Sequence, residues 1–182
     1  MKNFELPSKD QVSEKNQEIL VGIEKAVGFV PNLYSYYSKS DTALADYLAL
    51  ANRKTNLKAK EKEVVNLVVS QVNGCEYCQS AHTAIGKMNG FTDEQILELR
   101  KGTASFDAKI DALVKLAKSL TVNRGSASEE TVQAFFDAGY SEVTLIDVVI
   151  LIADKTISNY LHNLAQFPID FPKAPKLEEV EA

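Results

Sequence analysis

The chain is poor in the residues from which chemistry is commonly built: its 182 residues include only two cysteines and two histidines. It has no Lys/Arg-rich block and a net charge of −5, which argues against nucleic acid or an anionic membrane as the main partner. The opening Met1-Lys2-Asn3-Phe4-Glu5-Leu6-Pro7 lacks the apolar stretch of a signal peptide. The longest apolar run, Val148 to Ala153, is far too short to span a bilayer. No membrane role is expected, and the cytoplasm is the simplest address. Two cysteines three positions apart also exclude a disulfide-stapled scaffold. Bridging Cys75 to Cys78 would close a tiny loop and contribute only roughly 2 kcal/mol in the chain-entropy model. The remaining composition, 45% apolar and 25% charged, is that of an ordinary globular protein with a real core.

No segment reads as a strand, whereas three- and four-residue apolar spacing recurs throughout, so the expected fold is all-α. A first helix is expected over about residues 13–27, ended by Gly28 and followed by a short aromatic segment with Tyr34, Tyr36 and Tyr37. Ser40-Asp41 read as caps for a helix carrying Leu44, Tyr47, Leu48 and Ala51. The next spans about residues 58–72 and stops at Asn73-Gly74, where glycine accepts the left-handed conformation that closes a helix. Cys75 follows at once and should open a helix that continues to about Met88. Thr92 caps a helix with Ile96, Leu97 and Leu99, and Phe106, Ile110, Leu113, Ala117 and Leu120 mark another. Ser128 opens one with Val132, Phe135 and Phe136 inward.

Ser141 caps a final helix from Glu142 to about Gln166. It is so apolar between Leu145 and Ala153 that it belongs in the core or in a subunit contact. The expected organisation is one helical domain over residues 1–166 and a tail over residues 167–182. Pro168, Pro172 and Pro175 make that tail extended, and with its acidic end it is expected to lie across a neighbour. His162 reads as an ordinary polar residue of the last helix, and the tyrosine cluster as core or subunit contact.

Both cysteines and one histidine fall in a single run, Asn73-Gly74-Cys75-Glu76-Tyr77-Cys78-Gln79-Ser80-Ala81-His82. On a helix this C-x-x-C-x-x-x-H spacing brings Cys75, Cys78 and His82 near one face. Outside oxidising compartments such a pair is more often catalytic or metal-binding than structural. Zinc usually takes four ligands, and this set offers three plus Glu63, so thiol–disulfide chemistry is the leading expectation. The attacking species is a thiolate, so one cysteine pKa must be lowered. The unpaired N–H groups of a helix start favour Cys75, whereas adjacency to His82 favours Cys78. Glu63, on the preceding helix, is a candidate to orient His82 or relay a proton. Tyr77 reads as a packing or pocket-wall residue, since a phenol is no base near neutral pH.

The stretch from Glu63 through Asn73-Gly74 and Cys75-Glu76-Tyr77-Cys78 to His82 closely resembles the AhpD-like branch of the carboxymuconolactone decarboxylase superfamily. The segments Val27–Leu33 and Ile157–Pro172 resemble its peroxidase-related members. The resemblance implies an AhpD-like helical fold with the C-x-x-C at the N-terminus of a central helix, homo-oligomers, and no bound metal or organic cofactor. It further implies that a hydroperoxide oxidises Cys78 to a sulfenic acid, that Cys75 resolves this to a disulfide, and that His82 and Glu63 relay protons. A lipoyl-bearing or thioredoxin-like dithiol would return the electrons. The best-known peroxidase members carry a second histidine where this chain has Tyr77, which leaves the relay one imidazole. Two other functions stay open at this level. One is a redox sensor or disulfide-exchange adaptor; the other is lactone decarboxylation, against which the cysteine pair counts.

Overall fold

A computed structural model describes residues 4–177; residues 1–3 and the acidic end of the tail, residues 178–182, lie outside the described residues. Among the described residues the chain forms nine α-helices and no strand. In order they are α1 (Glu14–Val27), α2 (Asn32–Tyr37), α3 (Ala43–Ala51), α4 (Ala59–Val72), α5 (Glu76–Met88), α6 (Asp93–Lys101), α7 (Ala108–Val122), α8 (Glu129–Asp137) and α9 (Glu142–Ala165). No helix is long and apolar enough to cross a membrane, among the residues described.

Helix α4 is the axis of the arrangement. Val64, Val65, Leu67, Val68 and Val69 are all fully buried, so the helix is apolar on several sides and needs neighbours on each. It has them in α5, α6, α7 and α9. One core joins α4 to α6–α9 through Leu99, Leu113, Leu116, Phe135 and Val148. A second joins α1–α3 to the start of α5 and the tail through Leu20, Tyr37, Leu44, Tyr47, Tyr77 and Phe167, and it contains both cysteines.

Local rules set most boundaries. Gly28 closes α1 in the left-handed region at φ 92, and Thr92 with Gln95 forms a reciprocal capping box at α6. Two starts differ from expectation. Helix α3 begins at Ala43 behind Thr42, although Ser40 Oγ still accepts the Ala43 N–H at 3.3 Å. Helix α7 begins at Ala108, because Asp107 accepts the N–H groups of Lys109 and Ile110. Phe106 therefore lies in the preceding loop, edge-on to Phe91.

Helix α9 brings its apolar run only partly into the core, through the fully buried Val148 and the partly buried Leu145, Leu151 and Ile152. Its buried face carries Thr144, Asp147, Asp154, Lys155, Ser158, Asn159 and His162, while Val143, Ile146, Val149, Ile157, Tyr160 and Leu164 are exposed. Buried polar groups are tolerated where they are bonded. Asp147 accepts from Arg53 Nη2 at 2.7 Å and from the Asn56 backbone N–H at 2.8 Å. The inward face of α9 therefore combines the apolar Val148 with polar residues, several of them tied to other parts of the chain.

The extended segment after α9 packs along its own chain as far as the described residues reach. Gln166 turns it through the left-handed region at φ 50, and Phe167 is buried. Asp170 Oδ2 accepts the Asn32 N–H at 2.6 Å, Ala174 N–H donates to Ser80 Oγ at 3.1 Å, and Arg100 Nη1 donates to the Pro175 carbonyl at 2.7 Å. Backbone groups that no helix satisfies thus find partners on α2, α5 and α6.

Candidate active site

The joint between α4 and α5 aims the cysteines. Gly74, at φ +65, donates its N–H to Gln71 O at 3.1 Å, and Cys75 N–H donates to Ser70 O at 3.0 Å. This bond pair closes a helix when the residue after the cap is left-handed. The chain is extended at Cys75 (φ −88, ψ 97) and helical again from Glu76. Cys75 is therefore the N-cap of α5, and its Sγ accepts the Cys78 N–H at 3.4 Å. Both cysteines are free thiols, and the Cys75 side chain hydrogen-bonds to Cys78.

That bond sorts the two sulfurs. Donation from the Cys75 thiol, helped by the Lys155 ammonium and the Asn159 amide, outweighs burial and holds Cys78 below the ordinary thiol range. The same bond, together with burial, pushes Cys75 up. The helix start does reach Cys75, through the Cys78 N–H, but a proton shared toward Cys78 wins. Only Cys78 of the two lines the adjoining cavity.

Glu63 and His82 meet between α4 and α5. His82 Nδ1–H donates to Glu63 Oε2 at 2.8 Å, and Asn66 Nδ2–H donates to Glu63 Oε1 at 2.9 Å. Burial would raise the Glu63 pKa, but His82, Asn66 and Lys155 hold it below the usual carboxylate range. Burial and the Lys155 charge pull His82 down, against the pull of Glu63. The pair is thus an ionised carboxylate and a neutral imidazole with its proton on Nδ1. Its Nε2 carries a lone pair, and His82 lines the same cavity as Cys78. Among the described residues no hydrogen bond joins His82 to either sulfur.

The cavity has a volume of about 430 Å³, with Leu33, Tyr34, Tyr47 and Phe171 in its walls. Tyr77 is also a wall residue, and it ties other elements together. Its hydroxyl accepts the Leu33 N–H at 3.2 Å, and its ring meets Phe167 and Phe171 edge-on at 5.4 and 5.6 Å. His162 is buried; its Nε2–H donates to the Phe167 carbonyl at 3.0 Å, and its ring lies against Tyr77. Both residues hold the tail over the site.

Two polar residues of α9 reach the site without having been singled out in the sequence. Asn159 Oδ1 accepts Asn73 Nδ2–H at 2.9 Å, and its own amide donates to Ser70 Oγ at 3.4 Å, clamping α9 to the α4–α5 joint. Lys155, one turn earlier, lines the cavity beside Cys78. Lys155, Asn159 and His162 recur at four- and three-residue steps inside an otherwise apolar helix. A polar stripe of that kind points to a buried site. Among the described residues no cluster of three or more His, Cys, Asp or Glu is placed to hold a metal ion.

A model of the carboxymuconolactone decarboxylase family matches residues 39–119, a span that includes Glu63, Cys75, Cys78 and His82. Over those residues the chain is similar to that family. Its fold is AhpD-like. The structure superimposes on an alkylhydroperoxidase AhpD core, an uncharacterized peroxidase-related protein from Ralstonia eutropha, with a TM-score of 0.82 at 17% identity, covering 91% of this chain and 90% of that one. An uncharacterized peroxidase-related protein from Silicibacter gives 0.80 at 20% identity, covering 90% and 89%. The debrominase Bmp8, in complex with 2,3,4-tribromopyrrole, gives 0.76 at 16% identity, covering 93% and 92%. No curated protein matches the sequence. A debrominase on the same scaffold means that the fold alone does not choose the substrate.

Proposed function

We propose that this protein is a thiol-dependent peroxidase that reduces hydroperoxides through a Cys75/Cys78 dithiol–disulfide cycle, with His82 and Glu63 as proton relay. One observation carries the reading: of the two hydrogen-bonded sulfurs, the one favoured as thiolate faces the cavity and the other waits behind it. The Cys78 thiolate attacks the terminal peroxide oxygen, the O–O bond breaks, and an alkoxide leaves with the bonding pair. Cys75 sulfur then displaces hydroxide from the Cys78 sulfenic acid. The Cys75 proton, passed through neutral His82, turns that hydroxide into water. An external dithiol, lipoyl-bearing or thioredoxin-like, returns two electrons and two protons in a reducing, cytoplasmic setting.

Mixing the reduced protein with an alkyl hydroperoxide should consume both thiols. Cys78→Ser should abolish the consumption, and Cys75→Ser should accumulate one sulfenic acid per chain. Consumption no faster than that of free dithiothreitol would sink the proposal and leave a redox sensor or adaptor. Turnover of a carboxylated lactone retained in the double serine variant would instead favour decarboxylation.

The same reading includes a homo-oligomer. Val143, Ile146, Ile150, Ala153, Ile157, Tyr160 and Leu164 alternate three- and four-residue steps along α9, the spacing of a helix–helix seam. Most of them are exposed, and a second copy meeting them would remove them from water. Light scattering at micromolar concentration tests this, and a strict monomer would count against it.

A further inference from the structure

A thiolate attacking a hydroperoxide expels an alkoxide, one of the strongest bases in the cycle, and resting His82 has no proton on the nitrogen left over from Glu63. A different donor is needed. We propose that Lys155 is a catalytic residue of this site, its ammonium placed beside Cys78 to stabilise and protonate the leaving alkoxide. The inference rests on the thiol-peroxidase reading and assigns it a proton source.

Placement comes first. Lys155 is only 6% exposed, yet it lines the cavity with Cys78 and His82 and is the only lysine or arginine to do so among the described residues. Its position on α9 is pinned by its neighbours. Ser158 Oγ hydrogen-bonds to Tyr47 Oη at 2.7 Å, and Asn159 is held by Asn73 and Ser70. A buried ammonium carries a desolvation cost of several kcal/mol and persists only when opposed charges compensate it. Those charges come from Glu63 on α4, Cys78 on α5 and Asp154 on α9 itself, while Tyr47 on α3, its phenol pushed up to about 12 by burial, stays neutral. Together they outweigh burial and hold the lysine above its ordinary value. Glu63 already receives His82 and Asn66, so it does not monopolise the ammonium.

The electron and proton balance then closes. Cys78 sulfur donates a pair to the terminal oxygen, the S–O bond forms, the O–O bond breaks, and the alkoxide takes one proton from Lys155 to leave as alcohol. The Cys78 negative charge is consumed in the same step. Lys155 thereby loses one of its counter-charges and becomes a better acid as the alkoxide forms. When the external dithiol reduces the disulfide, one of its two protons goes to Cys75 and the other to the lysine amine, restoring the thiolate–ammonium pair.

The test compares full-length wild type, Lys155→Met and Lys155→Arg against two oxidants, cumene hydroperoxide and peracetic acid. The second expels a carboxylate that needs no proton. Rates of Cys78 oxidation are divided by the thiolate fraction, measured separately from the pH dependence of iodoacetamide alkylation. Lys155→Met should lower the corrected rate with cumene hydroperoxide by about 10²–10³-fold, the usual cost of removing one charge-stabilising donor, and change that with peracetic acid less than about threefold. Lys155→Arg should retain part of the rate by keeping the charge. Lys155→Gln replaces the Met variant if urea denaturation shows that the latter is unfolded. Equal losses with both oxidants, or no loss, would overturn the inference while leaving the peroxidase reading intact. A wild type inert to both oxidants would overturn the two together.

Discussion

Removing the Cys75 thiol should weaken Cys78 as a nucleophile even though Cys75 is not the residue that attacks. Cys78 is held toward its thiolate first by donation from the Cys75 side chain. A hydrogen bond to a charged group is worth about 1.5–3 kcal/mol, and each 1.4 kcal/mol is a factor of ten. Cys75→Ala should therefore cut alkylation of Cys78 by iodoacetamide about ten- to a hundredfold on the acidic limb of its pH profile. Cys75→Ser keeps a donor in the same place and should lose far less. The serine also remains a good N-cap for the Cys78 N–H, whereas alanine forfeits about 1 kcal/mol of capping. Urea denaturation of both variants separates that stability cost from the reactivity. In the wild type, brief labelling at neutral pH followed by mass spectrometry should find the label on Cys78. Equal reactivity of the alanine and serine variants, or label on Cys75, would refute the proposed ordering of the sulfurs.

Three further outcomes follow from the geometry. Gly74→Ala meets open space but must adopt φ +65, so it should cost about 1 kcal/mol and lower Tm by about 2–4 °C; an unchanged Tm would contradict the left-handed joint. Tyr77→Phe removes the acceptor of the Leu33 N–H, a first-turn amide that no helix bond satisfies, and should cost about 1–3 kcal/mol in urea denaturation. A variant as stable as the wild type would argue against the tie. Buried His82 and His162 both titrate below their ordinary value of 6.5 in the fold, so below pH 6.5 the unfolded chain binds protons that the folded chain does not. Stability should be fully present above pH 6.5 and decline as pH falls below it. A flat profile between pH 7.5 and 5.5 would contradict neutral buried imidazoles.

Much of the site was legible because it is local. The C-x-x-C-x-x-x-H run and the Asn73-Gly74 stop set the α4–α5 joint through bonds spanning no more than five residues, and glycine is the residue suited to φ +65. Glu63 was legible as a candidate, and the packing of α5 on α4 brought it to 2.8 Å from His82. The ends of α4, α5 and α6 were readable for the same reason, since caps and stops are short-range. By contrast, two helix starts differ from the expected ones: α3 begins behind Thr42, whose side chain makes no cap bond, and α7 begins behind Asp107, which accepts the Lys109 and Ile110 N–H groups and leaves Phe106 in the loop.

What the chain determined by itself was its helices, the order of its caps and the motif that opens α5, each a matter of neighbours in sequence. Only the tertiary structure brought Lys155 and Asn159, about eighty residues away in sequence, to add to the pull of neighbouring Cys75 that holds Cys78 below the ordinary thiol range. It also turned α9 so that a polar row and Val148 face inward while Val143, Ile146, Val149, Ile157, Tyr160 and Leu164 face out. Hydrophobic periodicity says which residues share a face, but not whether that face meets the core or a partner. The electrostatic field at a buried sulfur is a sum over everything packed around it, and no local pattern contains that sum.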